Sequence, residues 1–244
     1  MMNKFTLTIL LCLPYFALAQ QMQTDRPNET EGPNALASYH LQVENGFSFE
    51  QKNGEKTYEV PETVIRYGLF KNTEFRIESA FKILNEQDHT VLGIKPVLVG
   101  FKYHLIDHTG AVPDVGILGR INIPWLADNA YKEKNYSPEI RLLVQHELSK
   151  SSHLGYNLGI HWIPENVQPE YIYTLSADHS ITKKIKLFVE TYGFALPHQH
   201  TENNADTGIL FFVTSNLQLD LMAGTGLMHA HSDKFAEIGL SFRI

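Results

Sequence analysis

Apolar and polar residues alternate along most of the chain from Tyr39 to the last residue. Between Tyr39 and Glu50, one face carries leucine, valine and phenylalanine, and the other carries mainly glutamine, serine and glutamate. A period of two indicates a β-strand whose two faces meet different environments. The pattern recurs between turn signals and predicts twelve strands, at residues 39–50, 62–69, 74–81, 97–105, 115–123, 139–148, 154–162, 171–178, 186–192, 209–213, 217–221 and 237–244.

The last segment, Glu237–Ile244, keeps this alternation up to the end of the chain, with Phe242 and Ile244 on its apolar face. Its glycine, aromatic residue and last apolar residue resemble the terminal strand that bacterial outer-membrane barrels present to their insertion machinery. We therefore expect this strand to close a barrel by pairing with residues 39–50. Phe242 and Ile244 should then face lipid, while Glu237 and Arg243 should face the lumen.

The strand count and the connections favour one architecture. An even number of strands is usual in single-chain bacterial outer-membrane barrels. Connections after predicted strands two, six, eight and ten are short, and those after strands three, five, seven and nine are longer and polar. Only Ile106–Pro113 departs from the usual contrast between short periplasmic turns and longer outer loops. The expected fold class is all-β, a single antiparallel transmembrane β-barrel of about 12 strands.

The composition of the two strand faces separates this fold from a soluble one. A soluble sandwich or lipocalin-like barrel would point its apolar face inward and leave a mostly charged outer face. Here the polar face contains many glycines and carries ionisable residues from nearly every strand, which fits a polar lumen. Aromatic residues near strand ends would form girdles at the membrane interfaces; they are Tyr39, Phe49, Phe81, Trp125, Trp162 and Tyr171.

The first residues have the features of a secretory signal peptide. A single lysine, Lys4, precedes an apolar stretch, and Ala17-Leu18-Ala19 predicts cleavage after Ala19. The apolar stretch is too short to span a membrane and contains Pro14. The only cysteine, Cys12, lies inside the signal, so the mature chain would have no disulfide.

The chain therefore divides into a signal peptide at residues 1–19, a pre-barrel segment at residues 20–38 and a barrel at residues 39–244. Removing Lys4 changes the formal charge from −7 to −8, which disfavours binding to nucleic acid. The expected location is the outer membrane of a Gram-negative bacterium.

Three stretches carry a resemblance to a known family. They are Thr24-Asp-Arg-Pro-Asn-Glu-Thr-Glu-Gly-Pro-Asn-Ala35, the hairpin that contains Arg66-Tyr67-Gly68, and the closing Gly239-Leu-Ser-Phe242. Together they resemble the MetA-pathway-of-phenol-degradation family of outer-membrane proteins over nearly the whole mature chain. The resemblance implies a transporter-like barrel and a weak link to phenol.

The polar face supplies the candidate functional residues. Assigned inward, they form a lumen of mixed charge. Opposite charges can pair across such a lumen and fill it, or gaps between the pairs can leave a small polar pore. The candidates are Glu44, Arg66, Arg76, Glu78, Lys102, Arg120, Glu139, Arg141, Glu147, Lys186, Glu190, Asp220 and Arg243.

The pre-barrel segment, from Gln20 to Ala37, has charged residues, prolines and no strand periodicity. Asp25 and Arg26 are candidate plug residues, and Arg26 should meet an inward carboxylate such as Glu44. The alternative is a periplasmic tail without fixed structure.

The expected function is a channel or transporter for small solutes, aromatic solutes among them, without enzymatic activity or a cofactor. The expected partners are outer-membrane lipid, the insertion machinery and the solute. Other readings are a structural barrel and a lipid hydrolase of the phospholipase or lipid A deacylase type. Candidate hydrolase pairs are His146 with Ser149 and Ser176 with His179, and candidate metal-binding pairs are His198 with His200 and His229 with His231.

Overall fold

The computed structural model describes residues 21–52, 54–86, 89–227 and 233–244. The predicted signal peptide and its cleavage site at Ala19 lie outside these residues. The described part of the chain contains thirteen strands: β1 Leu41–Lys52, β2 Glu55–Phe70, β3 Thr73–Glu86, β4 His89–Ile94, β5 Val97–Ile106, β6 Asp114–Ile123, β7 Pro138–Ser149, β8 Ser152–Trp162, β9 Pro169–Thr182, β10 Ile185–Ala195, β11 Glu202–Thr214, β12 Leu217–Leu227 and β13 Lys234–Arg243.

The strands form one closed antiparallel sheet. Neighbours along the chain pair with each other except β4 and β5, which both pair with β3, and β13 pairs with β1 from Gln42 opposite Arg243 to Gln51 opposite Lys234. The β1–β13 pairing closes the cylinder, as a membrane-spanning sheet requires. The predicted barrel and the predicted pairing of the last strand with the first are both confirmed.

The additional strand comes from an interruption in one stave of the barrel. β4 pairs with residues 81–86 of β3, towards the outer end of the barrel, and β5 pairs with residues 73–78, towards the periplasmic end. Lys95-Pro96 separates β4 from β5. Proline has no backbone N–H to donate to the ladder, so a break at this position is expected. The barrel therefore has twelve staves, as predicted. The long polar connection predicted after strand three was wrong, because most of it belongs to the end of β3, which extends to Glu86, and to β4.

Several other strand ends differ from the prediction. β1 begins at Leu41 rather than at Tyr39, whose φ of 65° does not fit a strand. β2 begins at Glu55, so the wall extends further on the outer side than the apolar alternation indicated. In these first residues of β2 the two-residue pattern is lost, although the backbone pairing with β1 and β3 continues.

The two ends of the barrel differ in the length of their connections, except that the periplasmic connection 107–113 is one residue longer than the outer connections 163–168 and 196–201. Adjacent strands on the periplasmic side are joined at Lys71-Asn72, Lys150-Ser151, Lys183-Lys184 and Ser215-Asn216. Longer connections at 124–137, 163–168 and 196–201 lie on the outer side, and the first of them begins with a short 3-10 helix, Pro124–Leu126.

The outer face of the wall is apolar. Phe101, Leu158, Val189, Leu221 and Ile238 are each more than half exposed, which would be costly in water over so large a surface. A continuous apolar band of this kind suits contact with lipid. No helix in the described ranges is long and apolar enough to cross a membrane.

Candidate functional site

The N-terminal segment, residues 21–37, lies inside the barrel. Its Thr24 hydroxyl bonds to Gln218 on β12, the Glu31 N–H donates to Asn157 on β8, and the Leu36 N–H donates to Glu74 on β3. These strands lie on different sides of a closed sheet, so a segment that touches all of them must pass through the lumen.

Carboxylates of the wall bind the backbone of the N-terminal segment. Glu44 accepts the N–H groups of Asp25 and Arg26 at 3.2 Å each, and Glu190 accepts those of Glu29 and Thr30 at 2.8 and 2.7 Å. A buried irregular backbone needs such partners, because it has no neighbouring strand to bond with. The wall therefore holds the segment in one defined path.

Asp25 is the centre of the charged network. Its Oδ2 lies 3.2 Å from Arg66, 3.2 Å from Arg76 and 2.7 Å from the Lys102 ammonium. All three cations are almost completely buried, so each depends on nearby carboxylates for compensation of its charge.

Two further acids of the N-terminal segment extend this network. Glu31 Oε2 lies 2.6 Å from Arg76 and 3.1 Å from Lys102. Glu29 lies 2.7 Å from Arg141 on the adjacent part of the wall. The acids of the segment thus face the basic sector of the barrel, formed by strands β2 to β7.

Arg26 makes the opposite kind of contact. Its guanidinium lies 2.9 Å from Glu62 and 2.8 Å from Glu237, on either side of the first strand. Arg26 thus meets inward carboxylates, but Glu44, the example named from the sequence, is not one of them, because Glu44 accepts backbone N–H groups of the segment and a hydrogen bond from the Arg66 side chain. The charge pattern of the segment is therefore complementary to that of the wall on both sides.

Glycines in the wall make room for the segment. A Cβ at Gly46 would lie 2.0 Å from the Arg26 guanidinium, and one at Gly116 would lie 2.5 Å from the Pro33 carbonyl oxygen. In contrast, a Cβ at Gly119 would meet nothing within 4 Å. Some glycines of the polar face thus lie where the segment approaches the wall, while others, such as Gly100 and Gly159, lie against arginine side chains of the wall.

The predicted lumen residues occupy different depths. Eight of them are buried in the lumen: Glu44, Arg66, Arg76, Lys102, Glu139, Arg141, Glu190 and Asp220. Glu78, Arg120 and Lys186 are partly buried and ion-paired. Arg243 bonds to Asn216 at the periplasmic end, and Glu147 was wrongly placed in the lumen, since its side chain is 42% exposed at that rim. Contact of any of these residues with a solute stays a prediction.

Sequence reasoning also missed several lumen residues because it counted mainly ionisable side chains on assigned strands. The omitted polar residues are Gln42, Glu74, His104, Asn157, Thr174, Asn204, Asp206, Gln218 and Ser241, all buried. Most of them continue the inward phase of their strands, so extending that phase to uncharged polar residues would have found them.

One part of the lumen is apolar. Phe188, Leu210, Phe212 and Met222 on β10 to β12 pack with Met22 of the N-terminal segment, and we call this group the lumen apolar patch. Periodicity indicated only the outward residues of these strands, such as Ile209 and Phe211, so the patch was not predicted. The patch borders a cavity of about 110 Å³ that is also lined by Asn28, Ser176 and Lys186.

Two larger cavities lie on the outer and the periplasmic side of the N-terminal segment. One of about 250 Å³ is lined by Glu62, Glu78 and Arg120 of the wall and by residues 25–29 and Glu31 of the segment. The other, also about 250 Å³, lies at the periplasmic end beside His104, Asp107 and residues 34–37. The segment contributes to the walls of both cavities and occupies the space between them.

Comparison with known sequences identifies the family. The profile of the family described as "Putative MetA-pathway of phenol degradation" matches residues 24–244, nearly all of the mature chain. The chain belongs to this family. No match was found among curated protein sequences.

Solved structures with the same fold are outer-membrane barrels. An outer membrane channel from Pseudomonas putida F1 superposes with a TM-score of 0.66 at 10% identity, covering 89% of this chain and 99% of that one. The porin NanC gives 0.58 at 11% identity, covering 83% and 98%. The porin KdgM, in complex with disordered oligogalacturonate, gives 0.57 at 10% identity, covering 82% and 98%. Because the identities are only 10–11%, these structural matches support the fold of this protein and nothing more.

The two candidate hydrolase pairs, His146 with Ser149 and Ser176 with His179, do not form in the structure. Ser176 accepts a hydrogen bond from Asn28, and His179 bonds to Ser152. His146 stacks on Tyr156, and in the described part of the chain no hydrogen bond joins it to Ser149. Neither pair therefore has the geometry of a nucleophile with its general base.

A serine, a histidine and a carboxylate do meet elsewhere. Ser137 bonds to His161, and His161 Nδ1 lies 3.3 Å from Glu170 at the outer end of the lumen. However, the Ser137 hydroxyl also donates to the Trp162 carbonyl, and the residue is buried. The hydroxyl proton of Ser137 points to this carbonyl and away from the imidazole, so Ser137 is not an activated nucleophile. The contacts of Ser137 instead attach the first long outer connection to β8.

The loop histidines considered as metal ligands form no group of potential metal ligands within the described residues. His198 and His200 lie on the exposed connection 196–201, and neither belongs to the group of potential metal ligands among the described residues. His229 and His231 lie outside the described residues.

Proposed function

We propose that this protein is an outer-membrane channel for small solutes whose pore is closed by the N-terminal segment. One observation carries the proposal: residues 21–37 lie in the lumen without belonging to the wall, and cavities remain on the outer and the periplasmic side of the segment. Displacement of the segment would join these cavities into a continuous polar path. The fold of known channels and porins supports this function.

The proposed solute is small and carries both an aromatic ring and a polar group. The lumen apolar patch offers aromatic and aliphatic surface, while Asn28, Ser176 and Lys186 supply polar groups to the lining of the same cavity. Ligand sites commonly combine an apolar surface with a few polar groups that fix orientation. The description of the family, which names phenol degradation, supports the same class of solute.

A structural barrel is the simplest alternative. It would need neither a lumen apolar patch nor a separate segment filling the pore, because wall side chains can fill a barrel of this size without help. A barrel that is closed under every condition would favour this alternative.

Removal of the N-terminal segment tests the proposal. Deleting residues 21–37 from the mature chain should convert a protein that is closed in planar bilayers into one with steady, ohmic conductance. A synthetic peptide of residues 21–37, added from the periplasmic side, should reduce that conductance, whereas a peptide of scrambled order should not. Correct folding of the deleted form can be checked by its heat-dependent mobility in gel electrophoresis. A folded but non-conducting deletion variant would contradict the channel.

Two adjacent phenylalanines provide a matched test of the solute class. Phe212 is 7% exposed and belongs to the lumen apolar patch, whereas Phe211 is 40% exposed on the outer face. In vesicle-swelling assays with the deleted form, the Phe212→Ala variant should lower the uptake rate of 4-hydroxybenzoate relative to gluconate several-fold, because an aromatic contact contributes about 0.5–1.5 kcal/mol. The Phe211→Ala variant should leave the ratio unchanged. An equal ratio in both variants would rule out selection by the lumen apolar patch.

A further inference from the structure

Three potential metal ligands meet at the periplasmic end of β5 and β6. His104 Nε2 lies 3.0 Å from Asp107 Oδ1 and 3.9 Å from Asp114 Oδ1. The ligand atoms of all three residues lie within 4.8 Å of one another, the only such group among the described residues. His104 is buried on the lumen side, and the two aspartates flank the 107–113 turn.

The second ring nitrogen of His104 limits the state of the first. Nδ1 lies 3.3 Å from the Pro33 carbonyl oxygen, which can only accept a hydrogen bond. Nδ1 must therefore carry a hydrogen. Nε2 faces two carboxylate oxygens, so a cation must lie between these three atoms, and it is either a proton on Nε2 or a metal ion.

This arrangement is the one found around metal-binding histidines. Such a residue almost always donates its other N–H to a carbonyl or carboxylate, which sets the tautomer and the ring orientation. One imidazole and two carboxylates suit a divalent ion such as Zn²⁺, and three protein ligands leave a fourth position for water. We propose that His104, Asp107 and Asp114 form a divalent metal site at the periplasmic end of the barrel.

Access and local order are consistent with such a site. Asp107 is 88% exposed, so an ion can enter from the periplasmic side without movement of the wall. Asp114 Oδ1 also accepts the His108 N–H at 2.9 Å, and paired backbone hydrogen bonds between Thr109 and Val112 hold the turn. The carboxylates are thus presented by an ordered turn.

The site is connected to the N-terminal segment through one hydrogen bond. A metal on Nε2 would fix the ring that donates to Pro33, and Pro33 lies against Gly116, where a Cβ would approach its carbonyl oxygen to 2.5 Å. An ion would therefore strengthen the attachment of the segment to this side of the wall. This consequence depends on the proposed plug, whereas the metal site itself does not.

Zinc titration of the purified mature protein in detergent tests the site. After treatment with a chelator, calorimetry with ZnCl₂ near neutral pH should show a high-affinity event at one ion per chain. His104→Ala and Asp107→Asn should each weaken that event by roughly tenfold or more. Asp107→Asn keeps the experiment interpretable if the histidine variant folds poorly, because this side chain is exposed and lies in a turn.

The matched control is His108→Ala, in the same turn. His108 Nδ1 faces the Val112 carbonyl, and the residue is not one of the three proposed ligands. This variant should bind Zn²⁺ as the unchanged protein does. The proposal is overturned if Zn²⁺ does not bind, which would leave a proton as the shared cation, or if binding is the same in the His104 and Asp107 variants.

Discussion

The Asp25→Asn variant is expected to conduct far more often than the unchanged protein in planar bilayers. Asn keeps the shape of the side chain and a carbonyl oxygen that can accept the Gly32 N–H, but it removes the charge that faces Arg66, Arg76 and Lys102. Breaking a buried ion pair costs about 3–5 kcal/mol. A loss of about 3 kcal/mol from docking would raise the undocked fraction of the segment roughly a hundredfold.

The Asp128→Asn variant is the control for this change. Asp128 lies in the first long outer connection, where its carboxylate accepts the Ile94 N–H at 2.8 Å and no ion pair joins it to the described residues of the lumen. Its conductance should equal that of the unchanged protein. If Asp25→Asn also behaves like the unchanged protein while deletion of residues 21–37 opens the pore, Asp25 does not hold the segment in place.

The charges of the lumen have two separate tasks. Contacts such as Arg120 with Glu139, at 3.0 Å, join neighbouring strands and stabilise the wall. Contacts such as Asp25 with Lys102 join the wall to the N-terminal segment, and they are the ones that must break if the pore opens. From the sequence, either a salt-bridge network that fills the lumen or a small polar pore was expected, and in the structure much of the filling comes from the segment.

The fold could be predicted because a membrane barrel imposes a simple rule on each strand. Lipid on one side and polar groups on the other give a period of two, and the closing strand Glu237–Ile244 shows this rule up to Phe242. Strand ends were harder, since β4 and the first residues of β2 lack a regular alternation of apolar and polar residues.

The partners inside the lumen could not be predicted, because they depend on which strands lie opposite each other. Arg26 meets Glu62 and Glu237, residues 36 and 211 positions away in the chain. Phe212 faces inward although its neighbour Phe211 gives the stronger signal of an apolar outward face. Even with the inward phase known, the path of an irregular segment fixes these contacts, and the segment has no periodicity from which to derive that path.

Arg66 should contribute more than other cations to the stability of the barrel itself. Its guanidinium bonds to both carboxylate oxygens of Glu74 at 2.8 Å and to Glu44 at 2.7 Å, so it joins β1, β2 and β3 in the buried lumen. Replacing it with methionine would leave both carboxylates buried without their cation. We expect the Arg66→Met variant to lose about 3–5 kcal/mol of unfolding free energy.

Urea unfolding in lipid vesicles can measure this loss, with Lys52→Met as the matched control. Lys52 forms an ion pair with Glu202 at 2.7 Å, but both side chains are more than a third exposed, so the control should lose roughly 0–1 kcal/mol. Arg66→Lys should fall between the two, because it keeps the charge and loses the two-pronged contact with Glu74. Equal losses for Arg66→Met and Lys52→Met would mean that the buried network does not stabilise the wall, and that its carboxylates tolerate the loss of their cation because water reaches them.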